Sequence, residues 1–170
     1  NDHPSTIVPR DAATVMLLRD SDAALEVFMM RRTLNAAFVG GFYVFPGGAV
    51  DDADRDAEVE ARCDGLTDAD ASEQLNVPTG GLAFWVAAVR ECFEEAGFLL
   101  ARTRDGSRPA VSDVERKAVH AGELSMEELC RRHDLVLDLS AIRYVAHWVT
   151  PVGEGPRRFD TRFFLAAAPD

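Results

Sequence analysis

The sequence predicts a single mixed α/β domain, because apolar segments typical of strands stand near both ends of the chain and a helical segment lies between them. Short apolar runs occupy residues 14–18 and 25–30 near the start, and 143–150 and 158–167 near the end. From Leu82 to Ala96, apolar residues recur at steps of three and four, which is the spacing of a helix face. This order favours a mixed sheet over a strictly alternating parallel one.

Size and charge narrow the class of protein. The 170 residues suit one compact domain. The chain carries 29 Asp and Glu against 18 Lys and Arg, a formal net charge of −11, so we expect no nucleic-acid partner and no membrane partner. No apolar run approaches the ~20 residues that cross a bilayer. The three widely spaced cysteines indicate neither a disulfide framework nor a metal site, and a cytoplasmic protein is expected.

The N-terminal part is predicted to hold three strands. Thr14–Leu18 and Leu25–Met30 form a hairpin, with a turn at Asp20–Asp22 between them. Phe42–Phe45 is the third strand. It is followed by Pro46-Gly47-Gly48, where the two glycines allow a sharp turn or the close approach of a ligand.

An acidic segment separates these strands from the main helix. Residues 51–79 are rich in Asp, Glu and Ala, show no continuous apolar face and end before Gly80-Gly81. We interpret about 55–79 as a surface insertion with one short helix.

The helical middle has its own start and stop signals. Gly97 stands where the C-terminal cap of the helix at 82–96 belongs. Two further pairs have the spacing of a capping box and predict two short helices before residue 133, namely Ser112 with Glu115 and Ser125 with Glu128. The strands at 143–150 and 158–167 follow, divided by the turn sequence PVGEGP.

Three carboxylates lie on the last part of the main predicted helix. At about 100° per residue, Glu91, Glu94 and Glu95 share an arc of roughly 100° and form one anionic face. One interpretation is an ordinary solvated helix face. The other is a metal site, because the i, i+4 pair of Glu91 and Glu95 and the negative end of the helix dipole both disfavour these acids. A bound Mg²⁺ or Mn²⁺, which prefers oxygen ligands, would reverse both effects.

The segment around these acids resembles a known family. RECFEEAGF, from Arg90 to Phe98, matches the second half of the Nudix box, GX5EX7REUXEEXGU, at each fixed position. FPGGAVDDAD matches the first half, with Gly48 as the initial glycine and Asp54 in the place of the first glutamate. Between Asp54 and Arg90 the box has seven residues and this chain has 35, so the box is interrupted by the acidic segment.

An interrupted box is similar to the subgroup that contains peroxisomal coenzyme A diphosphatases and their bacterial relatives. FPGG and RRFDTRFF also recur in that subgroup, and here they stand at 45–48 and 157–164. A neighbouring subgroup of coenzyme A hydrolases has the upstream signature LLTXRSX3RX3GX3FPGG. This chain keeps its first Arg (Arg32), its Gly (Gly41) and FPGG, but Thr33 and Ala37 replace the Ser and the second Arg. Coenzyme A as substrate is therefore a hypothesis.

The resemblance implies roles for individual residues. The divalent metal, Mg²⁺ or Mn²⁺, is assigned to Glu91, Glu94 and Glu95. Arg90 holds a carboxylate in place and completes the predicted catalytic set of Arg90, Glu91, Glu94 and Glu95. The predicted substrate contacts are Gly47, Gly48 and Arg32. Asp54 is left open between the metal shell and an ordinary loop position, and Glu154 and Asp160 are candidates for a base outside the box.

The resemblance also implies a Nudix-type α/β/α sandwich and a function. The expected reaction is hydrolysis of the diphosphate linkage of a small nucleoside diphosphate derivative, with coenzyme A derivatives first and nucleotide sugars or dinucleotides next. The alternative is a non-catalytic Nudix-fold module that binds or senses a nucleotide, against which the intact carboxylate set argues. Nudix domains usually continue beyond the strand at 158–167 into another strand and a large helix. The expectation is therefore either an absent C-terminal part or a second chain, in a homo-oligomer, that covers this face.

Overall fold

The computed structural model describes residues 7–31, 42–154 and 156–169. Its strands are β1 (Arg10–Asp20), β2 (Leu25–Val27), β3 (Met30–Arg31), β4 (Tyr43–Val44), β5 (Gly47–Ala49), β6 (Cys63–Asp64), β7 (Ala101–Thr103), β8 (Leu135–Asp138), β9 (Arg143–Val149) and β10 (Phe159–Ala167). Its α-helices are α1 (Ala57–Glu60), α2 (Asp68–Leu75), α3 (Leu82–Glu91), α4 (Asp113–His120) and α5 (Met126–Arg132). A 3₁₀-helix covers Asp52–Arg55 and a π-helical turn covers Cys92–Ala96.

The largest sheet is mixed and is built around β1. Along one edge β1 pairs in parallel with β10, which pairs antiparallel with β9. Along the other edge two short strands share β1, both antiparallel: β5 beside its first half and β2 beside its last residues. The mixed sheet and the two C-terminal strands are therefore as predicted.

The N-terminal strands match the prediction with two differences. The β1–β2 hairpin is confirmed, but the apolar run at 25–30 is divided into β2 and β3, and β3 pairs with β4 in a separate two-stranded sheet. The stretch predicted to turn at Gly47-Gly48 instead forms β5 on the edge of β1. Glycines are depleted in strands, so residue preference alone does not predict β5.

Helix α3 lies at the centre of the molecule. All residues from Leu82 to Arg90 are buried. A helix that is buried all round has neighbours on more than one side. The large sheet contacts α3 through β1 and β5, while α1, α2 and the 3₁₀-helix contact it from the insertion. Helix α3 thus carries the end of the Nudix box out of the core.

The acidic insertion is more ordered than predicted. It contains α1, β6 and α2 in place of one short helix, and three of its apolar residues are buried in the core, Val59, Ala71 and Leu75. Asp56 and Thr67 cap the two helices by accepting backbone N–H bonds. The interpretation as a purely surface segment is wrong, because Ala71 and Leu75, four residues apart, form a short apolar face against α3.

Two more helices and a second sheet complete the fold. Helices α4 and α5 begin after Ser112 and Ser125 as predicted, with each serine accepting a backbone N–H bond. Strands β6, β8 and β7 form a three-stranded sheet that the sequence did not reveal, since they contain only two to four residues each. Among the described residues, the helices are all too short or too polar to cross a bilayer.

Candidate active site

The predicted metal-binding acids lie where α3 changes its hydrogen-bond pattern. Arg90 and Glu91 end the α-helix, and Glu94 and Glu95 lie in the π-helical turn Cys92–Ala96, called here the acid-bearing turn. Gly97, with φ of 76°, ends the turn as predicted, and its N–H bonds to the carbonyl of Phe93 at 3.0 Å. The uniform 100° step assumed from the sequence does not hold beyond Glu91, because a π-turn winds more slowly than an α-helix.

Arg90 is the centre of a buried ion-pair network. Its Nε and Nη2 donate to the two carboxylate oxygens of Asp54 at 2.8 and 2.9 Å, and Nη2 also donates to the carbonyl of Ala49 at 2.8 Å. Its Nη1 donates to Glu91 at 2.9 Å and Glu94 at 3.2 Å. Burial by itself lowers the pKa of Arg90, but the bonds and charge of Asp54 and then Glu91 reverse this and raise the pKa above its usual value.

Asp54 joins the two halves of the interrupted box. Its side chain is 1% exposed and binds Arg90 in the two-pronged geometry that suits a guanidinium. Its Oδ2 also accepts the N–H of Asp51 at 2.9 Å. An ordinary loop position is thereby contradicted, since an unpaired carboxylate would not be buried to this extent. Asp54 and Arg90 are in contact although 35 residues separate them.

The glycine strand β5 lies against the acids. Gly47 and Gly48 pair with Thr14 and Ala13 of β1. The N–H of Gly47 donates to Oε2 of Glu95 at 2.9 Å. A Cβ at Gly48 would lie 2.3 Å from Oε1 of Glu91, so no side chain fits there unless Glu91 moves. The backbone of β5 therefore approaches the acids of the helix closely.

Two of the three acids are more buried than residues on an ordinary solvated helix surface. The side chains of Glu91 and Glu94 are 13% and 11% exposed, whereas Glu95 is exposed. Burial raises the pKa of Glu91 to about 7, even though the adjacent Arg90 lowers it. A fully solvated face does not describe these residues, because glutamates are rarely buried unless they are paired.

The donor set suits a hard divalent cation, although the side chains are turned toward protein donors. Three carboxylates within one and a half turns supply the oxygen ligands that Mg²⁺ and Mn²⁺ prefer. Glu91 and Glu94 bond to Arg90, and Glu95 bonds to Gly47. Within the part of the chain that the structure describes, no three His, Cys, Asp or Glu side chains are arranged to hold a metal ion. Metal binding therefore requires these carboxylates to turn.

Two residues outside the box also contact the acid-bearing turn. Arg116 Nη1 donates to the carbonyl oxygen of Glu94 at 2.6 Å, and Nδ1 of His120 lies 3.3 Å from Oε2 of the same residue. Sequence reasoning missed both. The Ser112 capping box predicts a helix here, but nothing in the sequence indicates that α4 packs against this turn.

The remaining predicted residues lie apart from this cluster or outside the described part. Arg32 falls outside the described residues, and the neighbouring Arg31 ends β3. Asp160, the second residue of β10, pairs with His147 at 2.5 Å and with Arg162. Glu154 is exposed in the loop between β9 and β10. A base outside the box stays a prediction for both acids.

Comparison with known proteins supports the family assignment. The family model described as the NUDT19 Nudix domain matches residues 60–170. The chain is 34% identical to the acyl-coenzyme A diphosphatase NUDT19 of Gallus gallus (92% of this chain, 54% of that protein) and 30% identical to that of Homo sapiens (82% and 47%). It spans about half the length of these curated relatives.

A solved structure extends the similarity to the fold. The crystal structure of a NUDIX hydrolase from Alicyclobacillus acidocaldarius is 31% identical, with a TM-score of 0.76 over 96% of this chain and 71% of that one. The chain belongs to the Nudix hydrolase family, in its NUDT19 group.

Proposed function

We propose that this chain carries the active site of a divalent-metal-dependent Nudix diphosphatase that acts on a coenzyme A derivative. The observation that carries the proposal is the contact of β5 with the acids. A side chain at Gly48 would overlap the carboxylate of Glu91, and the N–H of Gly47 donates to Glu95. The relatives that bear the name acyl-coenzyme A diphosphatase support coenzyme A derivatives as the substrate class.

Charge supports a role for a metal. The chain has a net charge of −11 and places three carboxylates in the site, so a diphosphate would be repelled unless cations come between them. Glu91, Glu94 and Glu95 would hold Mg²⁺ or Mn²⁺. When bound, such an ion neutralises phosphoryl oxygens and lowers the pKa of water.

The other residues position the reacting groups. Arg90 is held by Asp54 and Ala49 and donates in turn to Glu91 and Glu94. Gly47, Gly48 and Arg32 are assigned to the substrate phosphates, the glycines through the close approach of their backbone. In the overall reaction water adds to one phosphorus, the bridging P–O bond breaks, and two phosphate monoesters leave.

The test is a panel of substrates. Coenzyme A, an acyl-coenzyme A, a nucleotide sugar and a dinucleotide are incubated with Mg²⁺, with Mn²⁺ or with EDTA, and the phosphate monoesters are quantified. We expect cleavage of the coenzyme A compounds, abolished by EDTA. Tight binding of a nucleotide without cleavage would contradict the proposal and favour the sensor module.

A further inference from the structure

Helix α4 holds the acid-bearing turn from outside the Nudix box. Arg116 Nη1 donates to the main-chain carbonyl of Glu94 at 2.6 Å, a short charge-assisted bond. The arginine is itself oriented by Asp113, which accepts from its Nε at 2.8 Å and its Nη2 at 2.7 Å. Its side chain is 26% exposed, so solvent competes only partly for these bonds.

The bond from Arg116 holds Glu94, whose carboxylate makes a longer bond to Arg90 than that of Glu91 does. Glu94 Oε1 accepts from Arg90 at 3.2 Å, longer than the 2.9 Å bond of Glu91. The other oxygen, Oε2, lies 3.3 Å from His120, again on α4. Helix α4 thus contacts the main chain and the carboxylate of Glu94 together. Carbonyl groups near a helix end lack hydrogen-bond donors within the helix. Arg116 supplies such a donor to the carbonyl of Glu94.

We propose that Arg116 is a positioning residue for the cation site, acting through the main chain of Glu94. The inference rests on the proposed function, because it assigns Glu94 to the metal. It extends the site beyond the box to a residue of α4 that lies 22 positions after Glu94. Groups that orient metal ligands are worth about 10- to 100-fold in metal affinity.

Charge and positioning predict opposite effects, which makes the inference testable. The guanidinium is positive and lies beside the proposed cation site, so its charge alone opposes cation binding. If charge were its only influence, Arg116→Gln would bind the cation more tightly. If Arg116 positions Glu94, the same change weakens binding.

The experiment measures Mn²⁺ binding directly by electron paramagnetic resonance or calorimetry, on the purified full chain. Lys117→Gln is the matched control, because Lys117 lies on the same helix and contacts the same Asp113 at 2.8 Å. It removes the same charge while the bond from Arg116 to Glu94 remains. Arg116→Lys keeps one donor and tests rescue. The metal concentration for half-maximal cleavage is measured alongside.

We expect the Mn²⁺ dissociation constant to rise about tenfold in Arg116→Gln, to rise less in Arg116→Lys, and to stay within about twofold of the parent in Lys117→Gln. The half-activating metal concentration should follow the same order, with kcat recovered at saturating metal. If Arg116→Gln does not unfold cooperatively, Arg116→Met, which keeps the apolar stem, takes its place with the same expectation.

Two outcomes overturn the inference and are distinguishable. If the parent binds Mn²⁺ and cleaves its substrate but Arg116→Gln binds Mn²⁺ as tightly as Lys117→Gln, Arg116 has no positioning role and the proposed function stands. If the parent itself neither binds Mn²⁺ nor cleaves any substrate of the panel, both proposals are wrong.

Discussion

Arg90 shows why an arginine, and not a lysine, suits the centre of this site. Its planar fork of donors reaches Asp54, Glu91, Glu94 and the carbonyl of Ala49 at the same time. A lysine ammonium has three donors on a flexible stem and cannot hold the two-pronged bond with Asp54. One buried side chain therefore connects the 3₁₀-helix Asp52–Arg55, β5 and the acid-bearing turn.

Glu95 is the acid whose replacement tests the metal site with the least structural change. Glu95→Gln keeps the size of an exposed side chain and leaves an oxygen to accept the N–H of Gly47. Since it removes a charged ligand, we expect metal-dependent turnover to fall by at least about 100-fold. The unfolding free energy should change by less than about 0.5 kcal/mol. Cleavage assays and urea unfolding measure the two quantities, and normal turnover would exclude Glu95 from the site.

Alanine in place of Gly48 would displace a carboxylate, whereas alanine in place of Gly47 would displace the main chain, and the two effects can be compared. A Cβ at Gly48 meets Oε1 of Glu91 at 2.3 Å, the end of a flexible side chain, whereas one at Gly47 meets the carbonyl oxygen of Ala13 at 2.5 Å. We expect Gly48→Ala to lose activity with a modest stability cost, and Gly47→Ala to cost more, about 1–3 kcal/mol, because overpacking there shifts the main chain. Thermal unfolding and metal-dependent activity of both variants check the order. A Gly48→Ala enzyme with full activity would contradict the placement of Glu91.

At the residue scale the sequence predicted the local backbone better than the contacts. Gly97 ends the helix as its position after Ala96 predicted, and the metal-binding role of Glu91, Glu94 and Glu95 stays a prediction. Burial of Asp54 could not be inferred, because its neighbours Asp51, Asp52 and Asp56 make the segment look like a solvated loop. The contact of Arg116 with Glu94 depends on how α4 docks, which no local pattern encodes.

At the scale of elements, the end of α3 differs from a regular helix in a way that matters for the site. The turn Cys92–Ala96 is π-helical, and such turns are frequent at functional sites. Apolar periodicity predicts one continuous helix from 82 to 96, because a single extra residue per turn changes the pattern little over five residues. Periodicity therefore locates such a helix but does not determine its final turn.

Helix α4 was predicted from its capping box, and the contribution of that box to stability should depend on pH. The bond from His133, and then those of Ser112, lower the pKa of Glu115 to about 2 from a usual value of 4.5. A pKa lowered by folding means that the ionised carboxylate stabilises the fold above pH 4.5, and that this stabilisation is lost as the pH falls from 4.5 toward 2.

We expect Glu115→Gln to destabilise the fold by about 1 kcal/mol at pH 7, since the side chain is partly solvated and its amide can still complete the capping box. The difference from the parent should narrow as the pH falls below 4.5. Urea unfolding at pH 7, 5 and 3 measures it. Glu123→Gln, exposed in the loop after α4, is the control and should show no such change. A difference that is constant with pH would exclude the ionised carboxylate of Glu115 as its cause.

At the scale of the whole molecule, the insertion is part of the core. Val59, Ala71 and Leu75 are buried with α3. The mixed sheet and the central helix could be predicted because each is long and strongly patterned. The small β6-β8-β7 sheet could not, because its short strands come from distant parts of the chain and are stabilised by tertiary contacts.

The Asp54–Arg90 pair tests whether the 3₁₀-helix Asp52–Arg55 and α3 form one cooperative unit. Asp54→Asn leaves Arg90 buried with Glu91 and Glu94 at hydrogen-bond distance and with Asp51 at 3.7 Å. We expect the free energy of unfolding to fall by about 3 kcal/mol, the lower end of the range for breaking a buried ion pair, because these partners remain. Urea unfolding followed by tryptophan fluorescence measures it, since Trp85 is buried in α3.

Asp11→Asn is the matched control for this pair. Asp11 pairs with Arg55 of the same 3₁₀-helix at 2.8 Å, but both side chains are well exposed, at 45% and 39%. An exposed pair contributes about 0–1 kcal/mol, so the control should change stability little. Equal losses of unfolding free energy in the two variants would mean that burial does not strengthen the Asp54–Arg90 pair. A larger loss in Asp54→Asn, with a single unfolding transition, would mean that the interrupted halves of the box fold as one.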